Sequence, residues 1–286
     1  MTAETRVVIR APDHLGDAVM ALPGIWSLTA LGPTVVHTRG RWARELYAGL
    51  EVRDGDDVPD SAGLAVMFKP SWHASRVWRH LPTIGIGPRW RYRKTLVPQL
   101  EHRRDGYARI VLAAGAAAPG PAVFSPRGVR SPLPERFVAL NPWTPTRTAR
   151  WRGFSALAAA LDVPTIAFCG PGEGEVVRAE LAGVTVLEAL PLADLAASLA
   201  GCAVFVSNDS GAAHFAAACG APVVMVHGST ASETTGVGVG VERPERLWCQ
   251  PCYRKSCGWG TPCLAVDVAT VLAAVRTIWG RGASPP

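Results

Sequence analysis

Val204-Phe205-Val206-Ser207-Asn208-Asp209-Ser210-Gly211-Ala212-Ala213-His214, running on to Val223-Val224-Met225-Val226-His227-Gly228-Ser229-Thr230, decides the fold of this chain. It reads as strand, polar turn, small-residue helix, strand and polar turn. Two sets of side chains and free backbone N–H groups therefore reach the same sheet edge. In open parallel α/β sheets ligands sit beyond the carboxyl ends of the strands, where helix N-termini present unpaired N–H groups and a partial positive charge to phosphate. A nucleotide diphosphate is the ligand such an edge suits.

Outward from that stretch, strand candidates at 136–141, 164–169, 184–188, 203–207 and 222–227 alternate with helix candidates near 153–162, 174–182, 191–201 and 210–219. That alternation is the signature of a parallel sheet covered on both faces. Toward the N-terminus, residues 5–11 form a period-free apolar run suited to a buried parallel strand. A turn with Pro12 and Gly16 and a helical pattern over 17–31 follow it. Residues 35–37 and 64–68 look like further strands. From 113 to 135 the composition shifts to Ala, Gly, Pro and Ser, the mark of an interdomain linker. The expected organisation is an N-terminal domain over 1–125 and a C-terminal one over 135–286. A last helical pattern near 265–279, apolar at Val268, Val271, Leu272 and Val275, would dock the chain end on one of the two, with the N-terminal domain as one choice.

A content of 48% hydrophobic and 18% charged residues belongs to a globular chain and not to a disordered one. No apolar run reaches the ~18 residues needed to span a bilayer, and the start lacks the signal-peptide pattern, so a cytoplasmic location is expected. The net charge of +6 comes almost wholly from arginine, Lys69, Lys94 and Lys255 being the lysines. Arg76, Arg79, Arg89, Arg91, Arg93, Lys94, Arg103 and Arg104 are interleaved with Trp72, Trp78, Trp90 and Tyr92. Such a patch suits an anionic acceptor, a membrane surface or nucleic acid, and a solvated face accounts for it equally well.

Cys169, Cys202 and Cys219 sit in apolar context and read as small core residues. Cys249, Cys252, Cys257 and Cys263 are closely spaced without apolar periodicity, which is metal-site spacing for zinc or an iron–sulfur cluster; reduced loop thiols are the alternative. Gly170-Pro171-Gly172-Glu173-Gly174-Glu175 follows a strand but is not G-x-G-x-x-G, and a glutamate beside a pyrophosphate would repel it. Glu173 or Glu175 is better suited to a ribose or base edge. Asp54-Gly55-Asp56 satisfies D-x-D, yet it lies in an acidic turn with no apolar strand before it and reads as a solvated loop.

The run from Asn208 to Val224 fits N-D-S-G-x-x-H-x-A-A-x-x-G-x-P-V-V and is followed by Gly228-Ser229-Thr230. It resembles the heptosyltransferases of glycosyltransferase family 9. So do Val7 to Val19, with their Leu15-Gly16-Asp17 turn, and the C-terminal cysteine run. The resemblance implies an α/β chain of two Rossmann-like domains facing a cleft (GT-B). It also implies inverting transfer of a heptose or related sugar from an ADP-sugar to an acceptor hydroxyl without a divalent metal.

Asp17 matches the family aspartate and would be the base, although an aspartate there can equally cap the following helix. Asp13 is its neighbour and rival. The turn Asn141 to Trp151 matches a family segment, so Arg147 or Arg150 would neutralise the departing diphosphate with Thr144 and Thr146 as hydroxyl donors. Ala149 stands where many members place lysine. Asp209 would face the donor sugar or ribose, Ser210, Gly211 and Ala212 would give N–H groups to phosphate, and Ser229 and Thr230 would add hydroxyls. His214 matches the family histidine and reads as a satisfied core residue. The implied partners are an ADP-sugar and a glycan or small-molecule acceptor, with peripheral membrane contact through the basic segment and no nucleic acid. A non-catalytic scaffold of the same fold is the alternative. An NAD-dependent oxidoreductase is disfavoured by the lack of a glycine fingerprint.

Overall fold

The computed structural model describes residues 6–281 apart from 56, 58, 69–71, 89–91 and 126–127. The chain divides into two units, Met1–Val123 and Phe124–Pro286. In the first, β1 (Val7–Arg10), α1 (Leu15–Leu28), β2 (Thr34–Thr38), α2 (Ala43–Leu46), β3 (Glu51–Asp54), β4 (Leu64–Met67), α3 (Trp72–Val77), β5 (Thr83–Ile86), β6 (Lys94–Leu96) and α4 (Arg103–Ala113) follow one another. The strands form a parallel sheet in the order β3-β2-β1-β4-β5-β6. All of β1 is buried, and Val7 to Ile9 are apolar because a strand covered by helices on both faces has no solvent side; Arg10 at its end is buried as well. The edge strands β3 and β6 are mostly exposed or half-buried, and their sequences, Glu-Val-Arg-Asp and Lys-Thr-Leu, carry no apolar run.

The basic, aromatic segment 76–104 is resolved differently from its reading as a patch. Trp78 and Tyr92 belong to the core with Val8, Val35, Ala65, Met67 and Leu81, because β5 and β6 complete the sheet through this stretch. Lys94 gives its ammonium to the Ala113 carbonyl at 2.5 Å, and Arg103 and Arg104 lie in the first turn of α4. Arg89, Trp90, Arg91 and Asp56 fall outside the described residues, as does the side chain of Trp72.

The second unit runs β7 (Phe137–Asn141), α5 (Phe154–Ala160), β8 (Thr165–Cys169), α6 (Gly174–Glu180), β9 (Thr185–Glu188), α7 (Leu192–Leu199), β10 (Cys202–Asn208), α8 (Gly211–Ala218), β11 (Val223–Val226), α9 (Ser232–Thr235), β12 (Val239–Val241) and α10 (Val268–Arg281). Its parallel sheet has the order β12-β11-β10-β7-β8-β9. Counted from their own first strands, the two sheets share one Rossmann-type order. Each reverses direction once, between β1 and β4 and between β7 and β10. The crevice outside such a reversal is where open α/β sheets bind ligands.

The chain joins this unit at Phe124, whose N–H donates to the Ala218 carbonyl at 2.7 Å and whose ring lies 5.0 Å from that of Phe215. α10 packs on α5, β10 and β11 and buries Val271 and Val275. No helix among the described residues is long and apolar enough to cross a membrane.

Candidate functional site

At the reversal in the second sheet, Ser207 of β10 lies in register with Asn141 of β7. Two buried asparagines tie the strand ends together. Asn141 donates to the Phe168 carbonyl at 2.8 Å and accepts from Ser207 and Ser210 at 3.2 and 3.4 Å. Asn208 donates to the Pro142 carbonyl at 2.8 Å and accepts the Trp151 N–H at 2.9 Å. Each amide satisfies chain ends that would otherwise be buried polar groups without partners. This fixes the turn after β7 against the turn after β10.

Ser210 is the N-cap residue of α8, but its side chain makes no capping bond; its hydroxyl turns back to Ser207 at 2.9 Å. The first N–H groups of α8 at Gly211 and Ala212 are therefore uncapped and half-buried at the sheet edge, which leaves an eight-residue helix open to an anion. Beside it Asp209, with a side chain 10% exposed, accepts from the Thr235 hydroxyl at 2.8 Å. It lies 3.8 Å from His227 Nδ1 and 4.0 Å from His214 Nε2. His214 is 7% exposed, in keeping with a core position.

His227 was missed as a site residue: nothing local to the end of β11 signals that its ring will face Asp209. It is fully buried, its Nδ1 is 3.5 Å from the Thr230 hydroxyl and its Nε2 has no hydrogen-bond partner. Burial lowers its pKa below the ordinary 6.5, opposed by the charges of Asp209, Glu242 and Glu233. A depressed pKa means that the unfolded chain takes up a proton which the folded chain refuses. The resulting stability is complete above pH 6.5 and is lost as pH falls from there through the folded value. His227→Gln is expected to flatten the fall of the unfolding midpoint just below pH 6.5. A slope identical to wild type would place that titration elsewhere.

Trp151 is buried and donates from its indole to the Val266 carbonyl at 2.9 Å, anchoring the turn that leads into α5. Arg150 does not hang free from this turn. Its guanidinium lies 3.4 Å over the Trp143 ring and donates to the Thr144 carbonyl through Nε at 3.0 Å and Nη2 at 2.5 Å. Arg147 is exposed, Thr144 is buried with its hydroxyl accepting the Thr146 N–H at 3.4 Å, and Ala149 is buried. Ser229 is 3% exposed and works as a junction: its hydroxyl donates to Thr148 and its carbonyl accepts the N–H groups of Cys252 and Tyr253. Gly228 permits this crowding, since a Cβ there would stand 2.5 Å from Leu264 and 2.8 Å from the Thr148 carbonyl.

The glycine loop after β8 turns its amides on its own carboxylates. Glu173 accepts the Gly170 N–H at 2.7 Å, and Glu188 accepts the Gly172 N–H at 3.0 Å. The loop is thus closed to phosphate, and the Glu173 carboxylate is folded over its own turn.

In the first unit, Asp17 lies in the first turn of α1, where no side chain caps the helix, and it accepts from Arg103 Nη1 of α4 at 2.5 Å. Its charge, after burial, also raises the Tyr107 phenol. Asp13 is held differently. Arg10 donates to its two oxygens at 2.8 and 3.3 Å, the Arg39 N–H at 3.1 Å and the Thr38 hydroxyl at 3.4 Å. Asp54 ends the edge strand β3, so a strand does precede the D-x-D sequence; its polar, solvent-facing residues concealed it.

Burial pushes the thiols of Cys169, Cys202 and Cys219 up to about 11, 12 and 12, as expected of inert thiols. Cys263 departs from its reading as a loop ligand: it is 6% exposed in the core beside Val266 and Val271. Burial raises its thiol first, and charge on Cys252, Cys257 and Cys249 adds to the rise, so the four stand near one another. Among the described residues, however, no three His, Cys, Asp or Glu side chains are arranged to hold a metal ion. Cys263 packs inward, whereas Cys249, Cys252 and Cys257 are half-buried.

Residues 124–260 match the family model of glycosyltransferase family 9 (heptosyltransferase). No curated protein matches the chain by sequence. Among solved structures, the chain is similar to a glycosyl transferase family 9 protein of Veillonella parvula at 16% identity and a TM-score of 0.76, with 98% of this chain and 99% of that one covered. It is similar to the ADP-heptose lps heptosyltransferase II of E. coli at 16% identity and 0.73, covering 98% and 100%. It is also similar to the E. coli heptosyltransferase WaaC with ADP-2-deoxy-2-fluoro heptose at 15% identity and 0.70, covering 98% and 100%. At these identities the likeness is one of fold, and the two parallel six-stranded sheets are those of the GT-B heptosyltransferases. The second unit of this chain, through residues 124–260, is a glycosyltransferase family 9 domain.

Proposed function

We propose that this chain is an inverting glycosyltransferase that moves a heptose or related sugar from an ADP-sugar to an acceptor hydroxyl. The observation that carries the reading is the uncapped start of α8 beside half-buried Asp209, at the strand reversal of a family 9 domain. A diphosphate set against the N–H groups of Gly211 and Ala212 would gain the hydrogen bonds and the partial charge of the helix end. Asp209 and Thr230 then lie where a ribose or sugar hydroxyl needs acceptors and donors.

In the reaction the acceptor oxygen attacks the anomeric carbon, its proton passes to Asp17, and the bond from that carbon to the β-phosphate oxygen breaks. The electron pair leaves with ADP, whose growing charge is met by fixed donors and cations without a divalent metal. The acceptor is a small polyhydroxylated molecule or a lipopolysaccharide-core glycan.

Titration of the full chain with ADP in the absence of magnesium is expected to show saturable binding. Absence of ADP binding, or binding only when magnesium is added, overturns the proposal and leaves the non-catalytic scaffold.

A further inference from the structure

The cysteine-bearing segment is bolted onto the same strand ends. The Gln250 amide donates to the Gly228 carbonyl at 2.7 Å, and the N–H groups of Cys252 and Tyr253 donate to the Ser229 carbonyl at 3.0 and 2.9 Å. The Thr148 hydroxyl donates to the Arg254 carbonyl. Tyr253 keeps φ at 53°, a backbone region that a non-glycine residue holds only where its surroundings impose it, and its hydroxyl bonds Thr234 at 2.8 Å. Arg254 is thereby fixed between the turns that follow β7 and β11.

Its charge has no carboxylate partner among the described residues; it acts on the Cys257 thiol, whose pKa is lowered first by the backbone N–H groups of Trp259 and Thr261 and then by Arg254. The Arg254 side chain is exposed and makes no ion pair among the described residues, whereas Arg246 is taken by Glu233 and Glu242 and Arg150 is held over Trp143. A departing diphosphate carries more charge than helix N–H groups can offset, and full cations are what nucleotide sites add to them. At this edge Ala149 is apolar and Arg150 is occupied, which leaves exposed Arg147 as the cation that the turn after β7 can still give.

We propose that Arg254 is a phosphate-binding residue, and that the cysteine-bearing segment is the arm which brings its guanidinium to the diphosphate of the nucleotide. The inference rests on the nucleotide-diphosphate reading of the site. Arg254 joins Arg147 as a cation of the edge, and only its backbone is engaged in the fold, so its side chain is free to move onto the ligand.

The test uses the full chain and three variants, Arg254→Ala, Arg254→Lys and Lys255→Ala, titrated with ADP, adenosine and inorganic pyrophosphate. Wild type is expected to bind ADP more tightly than adenosine. Arg254→Ala should lose about tenfold or more of the ADP affinity with adenosine unchanged, Arg254→Lys should recover part of it, and Lys255→Ala should resemble wild type. Equal ADP affinity in wild type and Arg254→Ala, or a loss that follows Lys255 instead, overturns the assignment and leaves the donor reading standing. Pyrophosphate binding that depends on Arg254 without ADP binding upholds the anion site and overturns the donor reading. A wild-type chain that binds neither overturns both.

Discussion

Asp13→Ala is expected to destabilise the first unit by about 3–5 kcal/mol, because it strands a buried cation. The Arg10 side chain is 3% exposed and spends its charge on Asp13, with the Ala11 carbonyl at 2.7 Å and the His37 carbonyl at 3.3 Å as further acceptors. Its Nε already lacks a partner. Gly55 closes the pocket from the other side, since a Cβ there would stand 2.8 Å from Arg10 Nη2. Removing the carboxylate leaves the guanidinium, among the described residues, with the neutral Ala11 and His37 carbonyls. Asp13→Asn keeps the acceptor oxygen and should cost less. Urea unfolding followed at both variants measures the difference, and a loss under 1 kcal/mol for the alanine variant would mean that Arg10 finds another partner.

Asp17→Asn is expected to act on turnover and not on stability. Its partner Arg103 is 44% exposed, so the ion pair contributes no more than about 1 kcal/mol, and asparagine can still accept from the guanidinium. What asparagine cannot do is take the acceptor proton. Turnover of an ADP-sugar should fall by about a hundredfold or more with ADP affinity and the unfolding midpoint unchanged. Wild-type turnover in this variant would reduce Asp17 to one half of a surface ion pair. Arg103→Ala frees the carboxylate of its partner and reports whether the arginine restrains or positions it.

The sequence by itself determined the two parallel sheets. Runs such as Val7 to Ile9 and Val223 to Val226 lie wholly inside, so burial on both faces writes itself into them as unbroken apolarity. The polar turn at their ends, Asn208-Asp209-Ser210 above all, marked the candidate anion edge for the same reason: a strand end that meets solvent cannot remain apolar. The edge strands β3, β6 and β12 left no such trace, because one side of each is open and little of it is buried. α4 was hidden too, its buried Tyr107, Ile110 and Val111 lying just beyond a run of arginines that suggested a surface.

Only the tertiary structure decided which charges are free. Arg103 and Asp17 are 86 residues apart in the chain, and the Thr148 bond that fixes Arg254 spans 106. The same holds for His227, whose neighbour Asp209 lies on the next strand end, and for Arg150, whose charge is absorbed by Trp143 and the Thr144 carbonyl. Apolar burial is a property of a segment and can be read along it. The pairing of a charge depends on what the fold brings within hydrogen-bond reach, and no local pattern of residues records that.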